Sequence, residues 1–192
     1  IHICFIDGAS KGNPGRAGSG ATLVSSTAQT QEKRTSKCSF ECETNNVAEI
    51  TALKLGLNLL RTHHDASKKE WYFFTDSRYV RGVMTLGWTR NANRALLSEV
   101  DAMWQICVQT LGVKIHLEWV PAHEGVSWNE EADQLASSAA EKQDVLLDTP
   151  NLDWNDPQMM TATRVWLEAQ RPDSDERKEL KRNLNTEIST VY

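Results

Sequence analysis

The chain alternates between short apolar runs and stretches in which apolar residues recur at helical spacing. Residues Ile1–Asp7 form a short run rich in β-branched side chains, ending in the Gly-rich segment DGASKGNPG, and this predicts a buried strand. Gly18–Ser25 and Lys37–Glu43 predict two more strands, paired antiparallel across a polar loop. In the second of these, Cys38, Phe40 and Cys42 alternate with Ser39, Glu41 and Glu43, which places Cys38 and Cys42 as thiols on a buried face. From Thr44 to Leu60 the period changes. Ile50, Leu53, Leu57 and Leu60 repeat at three and four residues, Ala48, Ala52, Leu55 and Leu59 widen the stripe, and Thr44 or Asn45 is suited to cap it. Trp71–Thr75 reads as a strand that stops at Asp76, Ser77–Leu86 as a short helix and Arg94–Leu111 as a longer one. Lys114–Val120 is a further strand, closed by Pro121, and a helix from Ser127 or Trp128 to Glu141 turns Ala132, Leu135, Ala136 and Ala139 inward. The order βββαβααβα predicts a mixed α/β sheet with helices on its faces.

After about Asp144 the pattern dissolves. The segment DTPNLDWNDPQ and the later RPDSDERKELKRNLN read as an acidic linker and a C-terminal helical extension over 143–192, beside a domain at 1–142. Leu152, Trp154, Trp166 and Leu167 are expected to give the extension some packing surface. Charge follows the same division. Residues 1–140 carry 14 Lys and Arg against 15 Asp and Glu, whereas residues 141–192 carry 7 against 11, so the net −5 lies mostly in the tail. An acidic total therefore does not exclude a nucleic-acid partner for the first part. No run approaches the roughly 18 apolar residues of a membrane span, and no signal-peptide pattern opens the chain. An intracellular protein, of cytoplasm or nucleus, is the expectation. The chain opens on Ile1 instead of Met, which points to an excised domain or a processed product. Its four Cys lack CxxC spacing, so they do not suggest zinc.

Four acids stand where a carboxylate is readily presented. Asp7 and Asp76 each close an apolar run, Glu49 lies early in a helix, and Asp133 sits beside Ala132 and three residues before Ala136 on the last core helix. Each alone has an ordinary explanation as a turn former, a helix-dipole partner or a surface acid. Their joint context carries more. DGASKGNPG, TNNVAEITAL, TDSRYV and WVPAHEGVSWNEEADQLA resemble, in order and approximate spacing, the four motifs of the type 1 ribonuclease H family across residues 1–142.

The resemblance implies a five-stranded sheet of order 3-2-1-4-5 with strand 2 antiparallel and helices on both faces. It also implies an endonuclease that cuts the RNA strand of RNA–DNA hybrids and leaves 5′-phosphate and 3′-hydroxyl ends. It carries over Asp7, Glu49, Asp76 and Asp133 as catalytic metal ligands, and His123 of the PAHEG loop as the histidine that moves a proton or helps release product. The implied cofactor is a pair of Mg2+ ions, with Mn2+ able to substitute. Converging carboxylates repel, divalent ions remove that penalty, and oxygen-only ligands suit these metals. Two ions about 4 Å apart can hold both the attacking and the leaving oxygen, with Asp7 bridging.

For the hybrid, the resemblance implies groups around Ser10, Asn13, Asn45 and Arg78 in the minor groove, and a DNA phosphate held by Thr44 and Asn93 with Arg94 nearby. Thr44 and Asn93 also have plain roles as a helix cap and a turn residue. Arg78 departs from the Gln common at that place in the family. The segment between Asp76 and Asn93 lacks the basic protrusion of many cellular members, with Trp88, Arg90 and Arg94 as its remnant. Weak binding by the domain alone is therefore expected, and with it reliance on an adjoining reverse transcriptase or other polyprotein domain of a retroelement. Two other readings have less support: a catalytically dead scaffold, which would be expected to have lost a carboxylate, and an integrase or junction resolvase, which the TNN and TDS contexts disfavour.

Overall fold

The computed structural model describes residues 2–26, 31–64, 66, 69–123 and 126–142. The predicted linker and extension over 143–192, with Leu152, Trp154, Trp166 and Leu167, lie outside the described residues. Three strands come first: β1 (His2–Gly12), β2 (Gly15–Ser26) and β3 (Gln31–Glu43). They are followed by α1 (Asn45–Arg61), β4 (Glu70–Thr75), α2 (Arg78–Thr85), α3 (Arg94–Thr110), β5 (Lys114–Trp119) and α4 (Ser127–Glu141). The sheet has the order β3-β2-β1-β4-β5, with β2 antiparallel to both its neighbours and β4 and β5 parallel to β1.

The element order agrees with the hydrophobic pattern, but the first three strands are longer than predicted. β1 runs on past Asp7 through the polar residues Ser10 and Lys11, because β2 pairs with it as far as Gly12↔Gly15. A strand that leaves the core no longer needs apolar side chains, so its outer half is invisible to hydropathy.

Alternation along the central strands assigns the two helical faces. Ser19 Oγ donates to the Ala48 carbonyl at 2.6 Å, so it points at α1. Gly18 and Gly20, one residue either side, face α4. Cys4 and Ile6 look towards α1, where Gly56 leaves room for them and for Phe73. Phe5, on the other side, meets Phe74 and Trp128 at ring-centroid distances of 5.1 and 5.9 Å. The core on the α1 side adds Leu53, Leu57, Leu60, Trp71, Val80, Leu97 and Val100, all buried.

Glycine lets α4 lie close on β2. A Cβ on Gly18 would fall within 3.0 Å of the Ala136 carbonyl oxygen and the Ala140 nitrogen, and one on Gly20 would lie 2.7 Å from Leu135 Cβ. The obstacles at Gly18 are helix backbone, which cannot rotate away. Gly18→Ala is therefore expected to push α4 off the sheet and cost about 3 kcal/mol. Thermal denaturation should show it as a fall in Tm of roughly 6–12 °C, and a Tm unchanged from wild type would refute the close packing.

Two expectations need correction. Cys38 is only half-buried and Cys42 is exposed. β3 is an edge strand, so neither of its faces is well covered, and the pairing register shifts between Gly15 and Ala17, from Ala17↔Phe40 to Gly15↔Glu43. That irregularity takes Cys42 out of the alternation that Cys38 and Phe40 share.

Candidate active site

β1 and β4 are parallel neighbours with Ile6 opposite Thr75, so Asp7 and Asp76 emerge side by side at one end of the sheet. Asp7 has the same parity as Phe5 and faces α4, whose Asp133 lies within hydrogen-bonding reach of it. Glu49 enters from the opposite layer, in the first turns of α1. Gly8 makes that possible, since a Cβ there would fall within 3.0 Å of the Glu49 and Ala48 backbone. Carboxylate oxygens of Asp7, Glu49 and Asp76 all lie within 4.8 Å of one another. The fold thus brings together the four acids named from sequence: Asp7 from the middle of β1, Asp76 from just past the end of β4, and Glu49 and Asp133 from the helices on either face.

Their electrostatics are those of crowded, desolvated anions. Burial, then the charges of Asp76 and Asp133, push the Asp7 carboxyl up to about 8. Glu49, 5% exposed, is raised well above the usual carboxylate range by burial and then by Asp7 and Asp76. Asp76 is raised by burial and by Asp133, with His123 and a hydrogen bond from Asn129 pulling the other way. Without added positive charge, the group cannot be fully ionised near neutral pH at low cost.

Several residues that the sequence did not single out hold this arrangement. The Gly8 N–H donates to Asp7 Oδ1 at 2.7 Å and also serves Glu49. Trp119 Nε1 donates to the Asp76 carbonyl at 2.8 Å, fixing the backbone beyond β4. Asn129, 2% exposed, holds the Asp76 carboxylate from the first turn of α4. It precedes Asp133 by four residues, so helical spacing alone would have put both on one face. His123 has an exposed imidazole and a left-handed backbone (φ 55°), with Nδ1 3.8 Å from Glu130 Oε2. His123, Glu130 and Asp133 form a second close trio bordering the first.

A family model for RNase H matches residues 2–141. The chain belongs to the ribonuclease H family. Ribonuclease H activity, hydrolysis of the RNA strand of an RNA–DNA hybrid, comes with that membership. Among its relatives, the ribonuclease H of Klebsiella pneumoniae is 34% identical over 145 residues, covering 71% of this chain and 86% of the relative. That of Erythrobacter litoralis is 36% identical over 146 residues, covering 72% and 95%. The N-terminal ribonuclease H domain of a Mycobacterium tuberculosis protein, solved fused to maltose binding protein, aligns with a TM-score of 0.57 and 30% identity over 73% of this chain and 94% of that one. The LC11 ribonuclease H1, solved with an RNA/DNA hybrid, shares the fold at a TM-score of 0.60 and 24% identity, over 74% and 98%.

Within this ribonuclease H fold, the residues expected to meet the hybrid fall into two groups. Asn13 and Asn45 adjoin Glu49: the Asn45 N–H donates to Asn13 Oδ1 at 3.2 Å, and Asn45 Nδ2 donates to Glu49 Oε1 at 3.4 Å. Ser10 lies three residues past Asp7 on β1, where its hydroxyl donates to the Gly12 carbonyl. Arg78, exposed two residues past Asp76, lays its guanidinium over the Trp119 ring at 5.1 Å. Thr44 caps α1, its Oγ1 accepting from the Val47 N–H at 3.3 Å. Asn93 precedes α3 in the left-handed region (φ 57°), makes no side-chain cap, and sends Nδ2 to Tyr79 Oη at 3.4 Å. Arg94 Nε donates to the Arg90 carbonyl at 2.9 Å. Arg90 is itself drawn inward, ion-paired with Asp101 and donating to the Val83 carbonyl. Trp88 covers Gly82 while remaining half exposed. Of the supposed remnant of the protrusion, only Arg94 keeps its cation outside an ion pair among the described residues.

Proposed function

We propose that this ribonuclease H cleaves the RNA strand with divalent metal ions held by Asp7, Glu49, Asp76 and Asp133, leaving 5′-phosphate and 3′-hydroxyl ends. The observation that carries the reading is the convergence of these carboxylates, with the proton affinities of Asp7, Glu49 and Asp76 raised by burial and mutual repulsion. The donor set fits a hard cation. All the ligand atoms are oxygens, and Glu49 Oε2 is buried without a hydrogen-bond partner. Two Mg2+ ions, with Mn2+ as substitute, are the cofactor of this reading. When bound they would neutralise the carboxylates, favour ionisation of the attacking water and stabilise the departing 3′ oxygen.

The chain's own residues do the rest. Gly8 and Asn45 orient Asp7 and Glu49 through N–H donors, and Asn129 and Trp119 hold Asp76 by its carboxylate and backbone. His123, exposed and next to Asp76, is placed to pass a proton to solvent or to help product leave. Asn13, Asn45 and Ser10 present small polar groups suited to reading 2′-hydroxyls, and Arg78 adds a cation beside them. Thr44 and Asn93, with Arg94, complete the reading as the DNA-phosphate contacts.

An adjoining reverse transcriptase or other retroelement domain belongs to the same proposal. Between Asp76 and Asn93 the cations are Arg78, Arg81 and Arg90, and the last two are ion-paired to Glu118 and Asp101. That leaves little charge for phosphate, the dominant source of affinity. Among the described residues no helix is long and apolar enough to cross a membrane, and work in the cytoplasm or nucleus is part of this reading.

The test is cleavage of a labelled RNA–DNA hybrid beside duplex RNA and duplex DNA, in Mg2+, Mn2+ and chelator. Hybrid-only cutting that needs the metal and yields 5′-phosphate ends is the expected result. Equal cutting in chelator would rule the metal reading out.

A further inference from the structure

A second cluster of metal-ligating side chains lies at the opposite end of the sheet. His2 begins β1 and Asp7 lies five residues on, so the two regions are about 17 Å apart along the strand. Across the sheet, Ser25 pairs with His2 on one side and with Glu32 on the other. α1 ends at this same pole, delivering His63 and His64 just past its C-cap Thr62. His63 Nε2 stands 3.3 Å from Glu32 Oε2, and His64 Nδ1 stands 3.4 Å from the same oxygen.

We propose that Glu32, His63 and His64 bind a divalent transition metal of the zinc type, fastening edge strand β3 to the end of α1. Two ligand atoms about 2.05 Å from an ion at the tetrahedral angle are about 3.3 Å apart, and both measured separations match that edge. Two imidazoles and one carboxylate suit zinc, cobalt or copper and are a poor set for magnesium. The surroundings hold His63 in place: its ring is buried, edge-on to Trp71 and to His2. His64 stacks on it at 4.6 Å and, being exposed, is free to turn from that near-parallel arrangement so that its nitrogen faces the same ion. The His2 Nδ1 is 2.8 Å from Ser25 Oγ. Arg34 Nε lies 3.8 Å from Glu32 Oε1, which leaves Oε2 to the histidines. Its Nη2 also reaches Thr62 Oγ1 at 3.1 Å, a second tie across the same seam. His64, 66% exposed, leaves the site open to an entering ion and to a solvent ligand in the fourth position. Without metal, the same atoms make a histidine–carboxylate ion pair, and that is the competing reading.

The site does not depend on the catalytic proposal, and its test is kept apart from catalysis. Co2+ and then Zn2+ are titrated into the full chain in excess Mg2+, with His123→Ala as the background so that the His123, Glu130, Asp133 trio contributes no imidazole. One equivalent of Co2+ with the strong visible bands of a tetrahedral ion, displaced by Zn2+, is expected. His64→Ala and Glu32→Gln, both at partly exposed positions, should each weaken that binding by at least about tenfold, since even the loss of an outer partner costs that much. Absence of the bands, or the same affinity in both variants, overturns the site and leaves an ion pair only.

Discussion

Asp76→Asn is expected to lower kcat for hybrid cleavage by at least about 10³-fold, equivalent to ~4 kcal/mol on the barrier. The substitution keeps size and shape. The Asn129 amide can still donate to the remaining oxygen, and the Trp119 bond goes to backbone. What it removes is one negative charge from a pocket whose proposed task is to hold divalent cations against phosphate. The same change should raise the Tm of the metal-free protein by a few degrees, because it relieves the repulsion that pushes up Asp7 and Glu49. Activity lost while metal-free stability rises distinguishes a removed ligand from a damaged fold. A variant within about tenfold of wild type in saturating metal would sink the assignment of Asp76.

The second large effect is an inverted dependence of stability on pH. The folded Asp7 carboxyl sits at about 8, against 3.8 when unfolded. Between those values the folded state holds a proton that the unfolded state has lost, so stability falls as pH rises. From pH 5 to 8 Asp7 alone contributes a loss of up to about 4 kcal/mol, and Glu49 and Asp76 act in the same direction. The exposed acids Glu41, Glu70 and Glu141 are lowered by lysine partners, so they titrate below this window. The metal-free protein should therefore lose on the order of 10 °C in Tm between pH 5 and 8. Saturating Mg2+ should flatten or reverse the trend, since ligand ionisation is then favoured. Asp7→Asn should flatten it without metal. A metal-free Tm that rises over this range would contradict the crowding of these carboxylates.

The sequence made the strand ends and helices legible where burial imposes a period. Asp7 and Asp76 stand out because each terminates an apolar run, and Thr44 because it precedes one at helical spacing. The pairing of faces was less visible. That Glu49 and Asp133 approach from opposite layers depends on Gly8, Gly18 and Gly20, whose contribution is the absence of a side chain, and hydropathy does not register that. Cys38 and Cys42 misled because alternation marks a strand without saying whether it lies at an edge or carries a bulge. Asn129 is hidden for a related reason: helical spacing puts it on the face of Asp133, but its burial against the Asp76 carboxylate shows only in the fold. The quartet's membership is legible in four motifs taken together, whereas its crowding, and the raised proton affinities of Asp7, Glu49 and Asp76, emerge only from the fold.

The link between α2 and α3 shows how freely binding strength could be changed in this fold. Thr85–Thr89 are exposed, and Gly87 has open space where a side chain would begin. Just beyond, Arg90 clasps Asp101 and the Val83 carbonyl, closing the loop at its base like a buckle. A segment inserted at the tip would hang from a fastened root and need not disturb α2 or the strand that ends at Asp76. Evolution or an engineer can lengthen this loop with cations to suit a solitary enzyme, or keep it bare where a neighbouring domain supplies the grip.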